Sequence, residues 1–141
     1  MRRLPAPLLP THLWVLVVLY FIASLAHFTH NAEYIALYPG LPAWLTAQKV
    51  YLAWLGVTSI GLGALALLRF GLAVPAAILL GIYGAFGLDG LAHYTLDLCS
   101  RHTVWANITI WSEASTGLLL LLVSSLIVGR RVSRAICRRD G

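Results

Sequence analysis

Five ionisable side chains stand where charge is costly. His27, His30, Asp89, His93 and Glu113 lie inside or at the ends of long apolar stretches. An ionised group at bilayer depth costs about 3 kcal/mol even on lenient insertion scales, so such groups face a bundle interior and are functional candidates by default. His27 and His30 are one helical turn apart. Asp89 and His93 are four residues apart, which on an α-helix stacks an acid over an imidazole on one face. Imidazole and carboxylate together form a donor set for Zn, Cu or Fe, so His27, His30, Asp89, His93 and Glu113 are the expected ligands of a transition metal. The same groups also suit acid–base catalysis on a lipophilic small molecule, with Asp89, His93 and Glu113 moving protons, because burial beside another titrating group tunes a general acid or base. A third reading makes the network a device for helix packing alone. Haem is less favoured: His27 and His93 would have to serve as axial ligands from two helices at one depth, and nothing else in the sequence marks a haem pocket. No Glu-x-x-His occurs, so the di-iron bundle pattern is not met.

Helical spacing gathers further polar residues around these five. Tyr20, Ser24, His27, Asn31 and Tyr34 recur at three- and four-residue steps and form a stripe on one helix face, with Glu33 beside its end. His102, Thr109, Glu113 and Thr116 share another face, with Trp105 adjacent and Asn107 about a third of a turn from Glu113. Reflection through a hinge near Cys99 sets Asp89 near Thr109, His93 near Trp105 and Glu113 near Ala85, so two carboxylates are expected to meet. Trp44, Trp54, Trp105, Trp111, Tyr51, Tyr83 and Tyr94 are candidates for an aromatic cavity wall, although Trp and Tyr also collect at membrane interfaces without a ligand. Asn107-Ile108-Thr109 matches a glycosylation acceptor but lies too close to the membrane to be used.

The elements that must position these residues follow from composition. Hydrophobic residues make up 60% of the 141-residue chain and charged residues 11%, against about 25% charged in soluble domains. A bilayer core about 30 Å thick needs about 20 apolar residues per helix, and four runs qualify, at about 13–30, 50–68, 72–94 and 103–128. The expected fold is all-α: an integral membrane four-helix bundle in a single four-span domain, followed by a basic tail over 129–141. Residues 31–49, with Tyr38-Pro39-Gly40-Leu41-Pro42, read as a loop. Arg69-Phe70-Gly71 reads as a tight turn, 95–102 as a polar link, and Pro75 as the mark of a helix start.

Charge then orients the bundle. Arg2, Arg3, Arg69, Arg130, Arg131, Arg134, Arg138 and Arg139 fall on one side, against Lys49 and Arg101 on the other. Basic loops stay on the cytoplasmic face, so both termini are expected there, in a multi-pass cell-membrane protein of bacterial inner-membrane type. The net charge of +5 is then a matter of topology and lipid headgroups, and nucleic-acid binding is not expected. Met1-Arg2-Arg3, the apolar run and Ser24-Leu25-Ala26 also fit a signal peptide, but Pro5, Pro7, Pro10 and the length of the run favour a retained helix. Cys99 and Cys137 fall on opposite sides of the membrane, which excludes a disulfide between them.

Small residues are spaced for close helix contact. Gly81, Gly84, Gly87 and Gly90, with Ala77 and Ala85, make the third span the expected centre of packing, aided by Gly56, Gly61, Gly63, Ala64, Ala114 and Gly117. Gly87 and Gly90 flank Asp89 and could also clear room for a ligand. Homodimerisation through these glycine faces is a further option. A through-pore is not expected, because one half of the bundle, as in Leu118–Val123 and Leu65–Leu68, is almost purely apolar, whereas transport sites sit near the midplane with access from both sides. The layout of four spans with acids inside is similar to that of the sterol-isomerase group of membrane proteins, though no motif aligns, and the likeness implies isomerase-like acid–base chemistry.

Overall fold

The computed structural model describes residues 9–37, 41–94 and 103–137, and it is all-helical over them. Helix α1 spans Thr11–Glu33, α2 spans Ala47–Arg69, α3 spans Ala73–Ala85 and α4 spans Val104–Cys137. A short 3₁₀ turn covers Ile35–Leu37, and a nine-residue 3₁₀ segment, Phe86–Tyr94, extends α3. Four helices, with α3 and its extension counted as one, are long and apolar enough to cross a membrane. Asp97, Cys99, Arg101 and His102, the expected hinge, and the terminal residues Arg2, Arg3, Pro5, Pro7, Arg138, Arg139 and Asp140 lie outside the described residues.

Local chemistry sets the helix ends. Thr46 caps α2 by accepting a hydrogen bond from the Lys49 N–H at 3.4 Å, and the Thr103 hydroxyl accepts from the Ala106 N–H at 3.1 Å where α4 begins; each satisfies one of the orphan donors of a first turn. Pro75 sits in the first turn of α3, where its missing N–H costs nothing. Between α2 and α3 the chain reverses at Gly71, whose φ of 75° only glycine adopts without strain. The basic segment after Val128 continues α4 without a break to Cys137, since its arginine and alanine are good helix formers. At 34 residues and 1.5 Å per residue, α4 is about 50 Å long and outreaches a hydrocarbon core of about 30 Å. Cys137 is exposed at its end as a free thiol.

Side-chain contacts fix the topology as an antiparallel up-down-up-down bundle. Glu33 near the end of α1 meets Tyr51 near the start of α2, Gly61 meets Tyr83 and Gly63 meets Leu79 between α2 and α3, and Gly81 meets Ser124 between α3 and α4. The tightest seam is where α3 and its extension meet α4. A Cβ on Gly84 would lie 2.6 Å from the Gly117 carbonyl, and one on Gly117 would lie 2.5 Å from the Gly84 carbonyl. This is the close backbone approach that small residues permit in lipid, where no hydrophobic drive holds helices together.

The third span departs from the expected continuous α-helix. Beyond Ala85 it tightens to 3₁₀, and in that geometry residues three apart eclipse one another. Gly84, Gly87, Gly90 and His93 recur every three residues, so from Gly87 onwards the 3₁₀ pitch keeps the glycines and His93 on one face. Gly87 and Gly90 are buried on that face while Asp89 is exposed.

The bundle has two unlike ends. Leu9, Leu13, Ala64, Ala76, Ala77, Leu80 and Leu120 form an apolar core towards the end that carries the N-terminus of α1, and Arg69, Arg130, Arg131 and Arg134 stand at that same end. Lys49 and the histidine cluster stand at the other.

Candidate functional site

Three helices and the 3₁₀ segment bring the polar residues together. The α1 stripe faces inward: Tyr20, Ser24 and His27 are buried, Asn31 is half-buried, and only Tyr34, at the end of the stripe, is exposed. Opposite it, Glu113 of α4 is 1% exposed, and its carboxylate Oε2 stands 3.8 Å from His27 Nε2. The gap exceeds a hydrogen bond and lies within ion-pair reach. Gly90 lies against the pair: a Cβ there would sit in ordinary contact, 3.6 Å from both Glu113 Oε2 and His27 Nε2.

Asn31 ties two histidines into one unit. Its amide Nδ2 is 2.9 Å from His27 Nε2 and 3.4 Å from His93 Nε2, so the two amide hydrogens are directed at two imidazole nitrogens. With the amide donating, each Nε2 uses its lone pair on Asn31 and its ring proton sits on Nδ1. The two rings meet edge to face at 5.4 Å between centroids. Glu113 Oε1 and His27 Nδ1 are buried without a hydrogen-bond partner.

These groups form one end of a cavity of about 280 Å³. His27, Asn31, Asp89, His93 and Glu113 line it on one side, and Lys49 lines it from the start of α2. The rest of the wall is apolar, supplied by Phe28, Ile35, Leu41, Leu45, Val50, Ala53, Val57 and Phe86. The Lys49 ammonium lies 5.1 Å from the centroid of the Trp44 ring, a cation–π contact.

The expected residues divide accordingly. Five of them, His27, Asn31, Asp89, His93 and Glu113, share the cavity, and Tyr20 and Ser24 lie buried beneath it. His30 turns aside to stack on Tyr34 at 4.7 Å. Glu33 accepts a hydrogen bond from Tyr51 at 3.0 Å, Asn107 accepts one from Tyr94 at 2.5 Å, and Thr109 donates to the Ala106 carbonyl at 2.9 Å. Trp105 is 71% exposed, and His102 lies outside the described residues. Among the described residues, no group of three or more His, Cys, Asp or Glu side chains is arranged to hold a metal ion. The α-helical stacking of Asp89 under His93 also does not arise, because in 3₁₀ geometry residues four apart are rotated by about a third of a turn. Glu113 lies beside Gly87 and Gly90 rather than Ala85, for the same reason: the 3₁₀ segment advances further per residue than an α-helix.

The aromatic wall differs as well. None of the seven Trp and Tyr candidates lines the cavity; Phe28 and Phe86 do. Trp54 packs on Phe21 at 5.5 Å, Tyr94 on Trp111 at 6.2 Å, and Tyr83 on Tyr20 at 4.6 Å. Sequence reasoning missed the wall contributed by α2 and its preceding loop, from Leu41 to Val57. One signal for it was Lys49, the only lysine in the chain, placed away from the arginine-rich end. No known protein family, curated protein or solved structure matches the chain.

Proposed function

We propose that this membrane bundle binds a lipophilic small molecule carrying one hydroxyl or carbonyl group, with its apolar body in the cavity and its polar group against His27, Asn31, His93 and Glu113. The observation that carries this reading is the cavity itself: a space of about 280 Å³, apolar over most of its wall, with convergent polar groups at one end, as small-molecule sites are built. His27, Asn31, His93 and Glu113, which line the cavity, supply donor and acceptor groups for the ligand's polar group. A carbonyl suits a donating amide or imidazole and a hydroxyl suits the Glu113 carboxyl. His27 and Glu113 also form a pair able to move a proton to or from the bound molecule, which makes acid–base chemistry the natural extension of binding.

A transition-metal centre is the less favoured reading, since the Nε2 atoms of His27 and His93 are both engaged by Asn31 and His30 stacks on Tyr34. Organic extraction and mass spectrometry of the detergent-purified protein test the choice. The wild type is expected to release a molecule in stoichiometric amount, and Gly90→Leu to release at least tenfold less, because the new side chain fills the cavity while its Cβ meets only ordinary contacts at 3.6 Å. Equal release from both proteins, or a stoichiometric Zn, Cu or Fe that is lost on His27→Ala and His93→Ala, would refute ligand binding and favour the metal.

We further infer that the arginine-rich end faces the cytoplasm and the cavity the opposite side, in a bacterial inner membrane, on the charge asymmetry noted above. Fusions to the C-terminus report it. Green fluorescent protein is expected to fluoresce there and alkaline phosphatase to be inactive; the reverse pattern would invert the orientation.

A further inference from the structure

The arginine-rich end of the bundle holds a cavity of its own. It measures about 360 Å³ and is lined by Val74, Arg131, Arg134 and Ala135, so it lies between the first turn of α3 and the last turns of α4. The helix register agrees. Gly81 meets Ser124, and seven residues further along each chain the same antiparallel pairing sets Val74 against Arg131. Leu72, the N-cap residue of α3, offers no side-chain hydrogen bond, and the partial positive charge of that helix end adjoins the two arginines.

Two observations place this cavity at the level of lipid headgroups. Large apolar side chains stand open at the same end: Phe70, in the turn between α2 and α3, is 79% exposed, and Leu72, Val132 and Ile136 are exposed beside it. Such a surface calls for a lipid boundary. The last turns of α4 are also two-faced, since at 3.6 residues per turn Arg130, Arg131 and Arg134 fall within an arc of about 100° while Val132 and Ile136 lie opposite. That pattern suits the interfacial zone, where arginine reaches headgroups and apolar side chains stay among the acyl chains. Among the described residues, the acids Glu33, Asp89 and Glu113 all stand at the other end of the bundle.

We propose that this cleft between α3 and α4 binds one anionic phospholipid, with Arg131 and Arg134 on its phosphate and Val74 and Ala135 against its glycerol and first methylenes. The two arginines stand one helical turn apart on one face, and each presents a planar fork of donors that matches phosphate oxygens. Basic pockets between membrane helices take anionic headgroups elsewhere. A free phosphate would satisfy the guanidinium groups alone, whereas a lipid also covers the apolar part of the wall, which Val74 and Ala135 supply. The site stands independently of the histidine cavity at the other end, and works in whichever leaflet the arginines occupy.

Native mass spectrometry of the detergent-purified protein, titrated separately with phosphatidylglycerol and phosphatidylcholine, tests the assignment. The wild type is expected to hold one phosphatidylglycerol about tenfold more tightly than phosphatidylcholine. Arg131→Gln combined with Arg134→Gln is expected to abolish that preference. Arg69→Gln combined with Arg130→Gln removes the same charge from the same end but outside the cleft, and is expected to leave the preference nearly intact. Ala135→Trp fills the cleft without altering charge, and is expected to weaken phosphatidylglycerol binding about fivefold or more, which covers the case in which the arginine variant fails to fold. Equal losses in the two double variants would reveal diffuse attraction and overturn the site. Undiminished binding in Ala135→Trp, or displacement of the lipid by an equimolar amount of inorganic phosphate, would overturn it as well.

Discussion

Alanine in place of Gly117 is expected to lower the unfolding free energy by about 3 kcal/mol, the upper part of the usual cost of overpacking. Helix propensity alone argues the other way, since glycine to alanine in a helix interior gains about 1 kcal/mol. Packing reverses the sign. The new methyl would stand 2.5 Å from the Gly84 carbonyl oxygen and 3.1 Å from the Tyr20 ring, and a backbone carbonyl within a helix has nowhere to move. Gly84→Ala is expected to behave alike, with its methyl 2.6 Å from the Gly117 carbonyl and 3.0 Å from the Leu121 nitrogen. Gly56→Ala is the control. Nothing lies within 4 Å of its Cβ position, so propensity acts unopposed and the variant is expected to be as stable as wild type or slightly more so. Unfolding in detergent micelles, followed by circular dichroism or steric trapping, measures all three. Should Gly117→Ala prove as stable as Gly56→Ala, the seam between α3 and α4 is looser than described.

Tyr20 separates ring from hydroxyl. Tyr20→Ala removes a fully buried ring that fills the space between Tyr83, Gly87 and Gly117, and the cost is expected at about 4 kcal/mol, as for other buried aromatic truncations. Tyr20→Phe keeps the ring and deletes only an oxygen that has no hydrogen-bond partner of full geometry. Relieving a buried, unsatisfied polar group is expected to raise stability by about 1 kcal/mol. Thermal unfolding of the two variants checks both. A loss of stability in Tyr20→Phe would show that the hydroxyl is satisfied in the folded protein.

The four spans were legible because lipid demands long apolar helices, and hydropathy reports that demand directly. The inward stripe on α1 was legible for a related reason: in apolar surroundings, polar side chains spaced at three and four residues have only the interior to face. Harder to read was the change of helix type after Ala85. Its trace, a glycine or histidine every three residues from Gly84 to His93, is present in the sequence, but the same letters fit small-residue packing in an α-helix. In the folded bundle the tighter pitch goes with close packing of Gly87 against Glu113 and Gly117 of α4 and Tyr20 of α1. The cavity wall from α2 was marked in the sequence by Lys49 alone, because Val50, Ala53 and Val57 look like any lipid-facing residues of a span.

The sequence by itself determined that this protein is a four-span helical bundle with arginine at one end and histidines and acids at the other, since each of those properties depends on residue type along a single chain. Tertiary structure decided which of the titratable groups meet. It brought His27, Asn31, His93 and Glu113 into one unit and set His30 aside, because a helix face covers a wide arc and the neighbour it meets depends on how closely two backbones approach. That approach is governed by Gly84, Gly87 and Gly117, whose effect lies in the space they leave to others.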